Sequence, residues 1–183
     1  MTATPSIACI GIIGKHVRTT KADEPLHISL FPPHEEQELD MSFILNSSLD
    51  IFDIRTRAKT VDQDLGLLHA VDERLAAYGW LTNTGIKFII IVDMMGRLAK
   101  EEPDDKRKAQ PIVGLRDAEM KPAFRAVQTA YIQLMLNPFF TPEERTPLQL
   151  ANSNGRPATI TSKKFATELQ RIGHAWSPGV TSI

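Results

Sequence analysis

The stretch from Tyr78 to Asp93, Tyr-Gly-Trp-Leu-Thr-Asn-Thr-Gly-Ile-Lys-Phe-Ile-Ile-Ile-Val-Asp, limits the possible folds more than any other. It reads as two strands joined by a tight turn at Asn83, Thr84 and Gly85, because Asn and Gly accept a positive φ that strains other residues. The second strand, Ile86 to Val92, is apolar on both faces except at Lys87. A strand with one wet face would alternate apolar and polar residues. Apolar material must therefore cover both faces of this sheet, which places the strand at the centre of a three-layer domain. Ser6 to Gly14 has the same character and is expected as another inner strand.

The other elements follow from periodicity. Leu26, Ile28 and Leu30 alternate with His27 and Ser29, a half-exposed strand that Pro32 and Pro33 end. Leu65 to Glu73 is a further strand, so the last three form an antiparallel meander. Between them a helix is expected over about Leu39 to Ala58. At about 100° per residue, Met41, Ile44, Leu45, Leu49, Ile51 and Phe52 share its broad apolar face. A long helix from about Asp117 to Leu136 carries Met120, Phe124, Val127, Tyr131, Leu134 and Met135 as a stripe. Asp117 suits its N-cap. Pro122 removes a hydrogen bond unless it lies in the first turn, which moves the expected start towards Glu119. Pro138 stops this helix, and Phe139 and Phe140 are expected to pack back on the core. Thr161 or Ser162 caps a short last helix that aligns Phe165, Leu169 and Ile172, with Gly173 at its end. The charged stretch at about 96–113 buries too little apolar area to offset its ordering and is expected to be mobile. Together these give one domain over residues 1–173 and a disordered tail over residues 174–183.

Composition narrows the function. A net charge of −1 points to neither nucleic acid nor an anionic membrane as partner. Cys9 is the one cysteine, which fits a reducing compartment. No apolar run approaches the roughly 20 residues that span a bilayer, and the N-terminus lacks the pattern of a signal peptide. The expected location is cytoplasmic.

No catalytic or metal-binding set emerges. Gly11-Ile12-Ile13-Gly14-Lys15 looks like a phosphate loop, but Cys9 stands where the first glycine belongs and His16 replaces the Ser or Thr. His34-Glu35-Glu36-Gln37-Glu38 starts like a zinc-protease helix without its second histidine. His16, His27, His34, His69 and His174 sit in unrelated segments, none at metal-ligand spacing, and read as surface or satisfied histidines. Cys9 falls in a buried strand, where thiols are inert. Asp50 and Asp53 suit acid–base work less well than a solvated or binding face. The expectation is a non-enzyme with no cofactor, no metal and no small-molecule substrate.

The first helix leaves one question open. Asp50 lies nearly opposite the apolar face, flanked by Asn46 and Asp53 but also by Phe43 and Ile54. Scattered surface apolars are common, whereas a cluster around an aspartate suits a partner-binding patch. Periodicity alone tilts slightly to the first reading.

Several stretches resemble one family when taken in order. They are Ile10-Gly11-Ile12-Ile13-Gly14-Lys15, Ser48-Leu49-Asp50-Ile51-Phe52-Asp53, Tyr78-Gly79-Trp80-Leu81-Thr82-Asn83, Ile86-Lys87-Phe88-Ile89, Leu115-Arg116-Asp117 and Asn137-Pro138-Phe139-Phe140-Thr141-Pro142. From about Ile7 to Ile172 the chain resembles the sedlin family of TRAPP (transport protein particle) subunits. The stretches Lys15–Glu24, Arg97–Pro111, Leu148–Ile160 and the C-terminal tail depart from the family's pattern, all in loops or ends. The resemblance implies an α+β, longin-like fold: a five-stranded antiparallel sheet with the first helix on one face and the last two on the other. It implies a non-catalytic adaptor subunit of a vesicle-tethering complex in endoplasmic reticulum–Golgi and Golgi traffic. Such complexes promote nucleotide exchange on a Rab GTPase, and a subunit of this type links the core to larger peripheral subunits. Its partners would be other TRAPP subunits, and it would meet membranes only through them. The family's first-helix aspartate, on a partner-facing surface, maps onto Asp50, which turns the reading of Asp50, Phe43, Asn46, Asp53 and Ile54 towards a binding patch. Two alternatives stand beside this. A longin domain of a membrane-fusion protein would carry a following coiled coil and membrane anchor, and the chain shows neither heptads nor an apolar tail. An enzyme or metabolite sensor would need a polar cluster lining a cavity, and the sequence assembles none.

Overall fold

The computed structural model describes residues 4–14, 23–57, 63–96, 115–140 and 160–183. The charged insertion expected at 96–113 lies outside these apart from Gly96, as do most of the Lys15–Glu24 and Thr146–Ile160 loops. The elements run β1 (Ser6–Gly14), β2 (Glu24–Leu30), α1 (Glu38–Arg57), β3 (Asp64–Ala70), β4 (Leu75–Leu81), β5 (Lys87–Asp93), α2 (Asp117–Met135) and α3 (Lys163–Ala175).

All strand pairings are antiparallel, in the order β2-β1-β5-β4-β3. The strand that is apolar on both faces, β5, lies at the centre, and every one of its residues is buried. Its two faces feed two separate cores. Phe88, Ile90 and Val92 meet Met120, Phe124 and Val127 of α2 and Phe165, Leu169 and Ile172 of α3. Ile89 and Ile91 meet Met41, Ile44, Leu45 and Phe52 of α1. On β1, register shifts between Ile7 and Cys9 and between Ile12 and Ile13 break the strict alternation. Ile7, Ile10 and Ile12 thus join the first core, while Ala8, Cys9 and Ile13 join the second. The β4–β5 turn uses Gly85 at φ 82°, and Thr82 Oγ1 both donates to the Ile86 carbonyl and accepts from the Ile86 amide, each at 2.9 Å.

Helix ends and the C-terminus depart from expectation. The helix α2 starts at Asp117, not near Glu119, and takes Pro122 into its interior. Asp117 is not the cap: the Arg116 amide donates to Glu119 Oε2 at 3.1 Å, and Asp117 Oδ1 instead accepts from the Leu67 amide of β3 at 3.2 Å. Met135 is 40% exposed, so the inward stripe ends at Leu134. Phe140 packs against the core as expected, but Phe139 is 91% exposed. Gly173 does not end α3, which Ser162 caps and which runs on to Ala175. The tail expected to be disordered from His174 starts inside this helix. Trp176 is buried, with its ring Nε1 donating to the Glu119 carbonyl at 3.1 Å, and Ile183 is half-buried against the first core. A large apolar ring buried against the core, with its one N–H donor satisfied, overrides the local Pro and Gly signal.

Both sheet rims are engaged. On β3, Arg55 of α1 donates to the carbonyls of Leu65 and Leu67, and Asp117 takes the Leu67 amide. On β2, the Ile160 amide donates to the Leu26 carbonyl at 2.8 Å.

A candidate partner-binding face on the first helix

The helix α1 is held from both ends. Glu38 and Asp40 occupy its first turn and Arg55 and Arg57 its last, each sign matching the helix dipole. Its inner side is dry, with Met41, Leu45 and Phe52 nearly inaccessible. Ser48 is tolerated there because its hydroxyl donates to the Ile44 carbonyl at 2.8 Å.

The outer side carries all five residues singled out from the sequence: Phe43, Asn46, Asp50, Asp53 and Ile54 are exposed. Phe43 is 75% and Ile54 67% accessible, and Leu39, which periodicity did not single out, is 83%. Leu39, Phe43, Asn46, Asp50 and Ile54 follow at steps of three and four, so they form one stripe. Asp53 is fixed from below. Lys87, buried in β5, reaches Asp23 at 2.9 Å and Asp53 at 3.4 Å, and its ammonium lies 5.5 Å from the Phe52 ring centre. Among the described residues the Asp50 side chain has no hydrogen bond or ion pair. The face is therefore apolar at both ends and acidic in the middle, with one carboxylate uncommitted.

A second polar group was missed by the sequence reading. Asp93, at the end of β5 and fully buried, receives Nε and Nη2 of Arg74 at 2.9 and 2.7 Å, Nε2 of His34 at 2.8 Å and the Met95 amide at 3.0 Å. His34 Nδ1 pairs with the Gln37 side chain at 2.7 Å, just before α1 begins. Burial pushes the Asp93 carboxyl up, but the bonds from Arg74, His34 and Met95 outweigh it and hold the group below its ordinary value. The cluster clamps the entry to α1 onto the central strand. Both imidazole nitrogens are engaged, and the three charged or titratable members come from segments far apart in sequence, so no local spacing announces them. Cys9 is fully buried, and burial pushes its thiol far up, away from the reactive thiolate. Among the described residues no group of three or more His, Cys, Asp or Glu could hold a metal. No described helix is long and apolar enough to cross a membrane.

A central antiparallel sheet with one helix on one face and two on the other is an α+β fold of the longin-like kind. The chain belongs to the Sedlin family, whose profile matches residues 19–175. It is similar to proteins named trafficking protein particle complex subunit 2-like protein. The one from Bos taurus is 30% identical over 143 residues, covering 75% of this chain and 85% of that protein. The one from Dictyostelium discoideum is 29% identical over 171 residues, covering 91% and 95%. The one from Xenopus tropicalis is 29% identical over 160 residues, covering 84% and 94%.

Proposed function

We propose that this chain is a non-catalytic adaptor subunit of a trafficking protein particle complex, acting in endoplasmic reticulum–Golgi and Golgi traffic from the cytoplasmic side of those membranes. Its partners are other subunits of that complex, and it links core to peripheral subunits of a Rab exchange assembly. The relatives' shared name and their near full-length coverage support membership. The observation that carries the site is the outer stripe of α1, where Phe43 and Ile54 flank Asp50 at 75% and 67% exposure. Exposed apolar side chains around an unpaired carboxylate gain by being covered by a complementary protein surface.

The test is affinity purification of the tagged protein from its own cells beside the Asp50→Tyr variant. Wild type should bring down complex subunits, and the variant should lose at least one of them by about tenfold, some 1.4 kcal/mol of binding. Its melting temperature should stay within about 2 °C, since an exposed substitution costs little stability. Undiminished recovery of every subunit by the variant would remove α1 as the site.

A further inference from the structure

Between His34 and Ile54 the chain has six acidic residues and no Lys or Arg. Three of the acids, Asp40, Asp50 and Asp53, are exposed on α1. The first base after them, Arg55, is committed to the Leu65 and Leu67 carbonyls, which leaves Arg57, at the last position of the helix, as the exposed cation of its outer side. Lys87 does not neutralise this face. It is shared by Asp23 and Asp53, two carboxylates to one ammonium, and the Asp53 side chain stays 58% accessible. In the middle of the stripe Asn46 and Asp50 stand one turn apart, so an amide oxygen and a carboxylate lie side by side. Exposed Leu39 and Phe43 precede them along the helix, and exposed Ile54 follows. Two acceptors lie between apolar side chains, and the charge around them is of one sign.

We propose that the occupant of this face is a segment of another protein that presents an arginine between apolar side chains. This rests on the subunit reading above and gives the partner its chemistry. A cation is selected because a neutral or acidic surface would strip water from Asp50 and give nothing back. Arginine is selected over lysine because its planar fork can meet the Asp50 carboxylate and the Asn46 amide oxygen together, and because a weakly hydrated guanidinium stacks on a ring such as Phe43. Other occupants fit less of the face. An anionic lipid surface is repelled by it. A two-fold pairing with a second copy that brings Arg57 to Asp50 is centred between Asp53 and Ile54, so it draws the two Asp53 carboxylates together and leaves Leu39 and Phe43 bare. Residues 15–22 are basic in composition, but the chain leaves at Gly14 and returns at Asp23, which shares Lys87 with Asp53. Eight residues reach out and back by about 15 Å at most, whereas Leu39 lies fourteen positions before Asp53, about 21 Å along the helix axis. Residues 97–114 carry four acids among five bases, so charge does not single them out.

The test uses the assembled complex purified through the tagged chain, with a photoreactive phenylalanine analogue replacing Phe43, and separately Asp50→Asn, which keeps the side chain's shape and removes its charge. Cross-links should fall on a segment of another subunit that holds an arginine among apolar residues. Asp50→Asn should lose that subunit at least tenfold and keep its circular-dichroism spectrum. Wild-type recovery should fall as NaCl rises from about 0.1 to 1 M, where screening shortens to roughly 3 Å, and recovery by Asp50→Asn should fall much less. Replacing the cross-linked arginine by glutamate should abolish recovery by wild type, and Asp50→Arg should restore part of it. Cross-links confined to a second copy, or to residues 15–22 or 97–114 of the same chain, overturn the proposal, as does full retention of every subunit by Asp50→Asn. If Asp50→Tyr loses a subunit that Asp50→Asn keeps, α1 stands as the site and the cationic occupant alone falls. If neither variant loses anything, α1 falls as the site, and if wild type enters no complex, the subunit reading falls and takes this one with it.

Discussion

Gly173 shows how a single residue can mislead a local reading. Glycine after an apolar helical stripe ordinarily marks a helix end. Here it lies inside α3, and a Cβ added to it would sit 2.2 Å from Cε1 of the fully buried Phe31 ring. The glycine is present for close approach and not for turning. Two effects compete in Gly173→Ala: alanine favours the helix by about 1 kcal/mol, and overpacking a rigid ring costs roughly 1–3 kcal/mol. Overpacking should win, because Phe31 is also met edge-on by His174 with ring centres 5.7 Å apart. Urea unfolding of Gly173→Ala should therefore give a lower midpoint than wild type; a higher one would mean that the ring has room to move. Asp93 teaches a related lesson. Its partners His34 and Arg74 lie 59 and 19 positions away along the chain, so nothing near it signals that a buried carboxylate will be satisfied.

At the level of elements, what could be read from the chain was what periodicity records. The strand β1 was expected over the span it occupies, and β5 one residue early, because a sheet covered on both faces leaves an unbroken apolar run. The inner and outer sides of α1 were separable because its 20 residues give more than five turns to average over. Helix ends offer no such averaging. Leu134 and Met135 are neighbours in one apolar stripe, yet Leu134 is 6% exposed and Met135 40%. Leu134→Ala should destabilise by roughly 2–5 kcal/mol, and Met135→Ala by at most about 0.5 kcal/mol. Equal losses in paired denaturation curves would contradict the inward and outward assignments. Phe139 and Phe140 split the same way, one to solvent and one to the core, because the turn after α2 faces them in different directions. Which of two adjacent rings a turn sends outward is set by its backbone hydrogen bonds, and composition does not carry that. On α1 the exposure of Phe43, Asn46, Asp50, Asp53 and Ile54 was legible and that of Leu39 was not, and the reason to weigh the face as a binding one came from the family resemblance.

For the molecule as a whole, the Asp93 cluster sets a pH dependence. The carboxyl titrates lower in the folded than in the unfolded chain, where it is near its ordinary value of about 4. Its contribution is therefore complete above that unfolded value and is lost as pH falls through the lower folded value. Unfolding free energy should decline on acidification below about pH 5, and Arg74→Met should make the decline smaller while removing on the order of 2 kcal/mol at neutral pH. That figure is set below the range for a fully enclosed pair because the Arg74 side chain is 35% accessible. An unchanged acid limb in Arg74→Met would show that other carboxylates govern it. The engaged sheet rims have a different consequence. Strands commonly recruit further strands where their backbone groups stand unclaimed, but on β3 Arg55 takes the Leu65 and Leu67 carbonyls and Asp117 the Leu67 amide, and on β2 Ile160 takes the Leu26 carbonyl. The domain resembles a tile whose borders are finished in places. Each claimed group is one place fewer for a foreign strand to join, so sideways growth of the sheet into an open-ended ribbon is opposed at those positions.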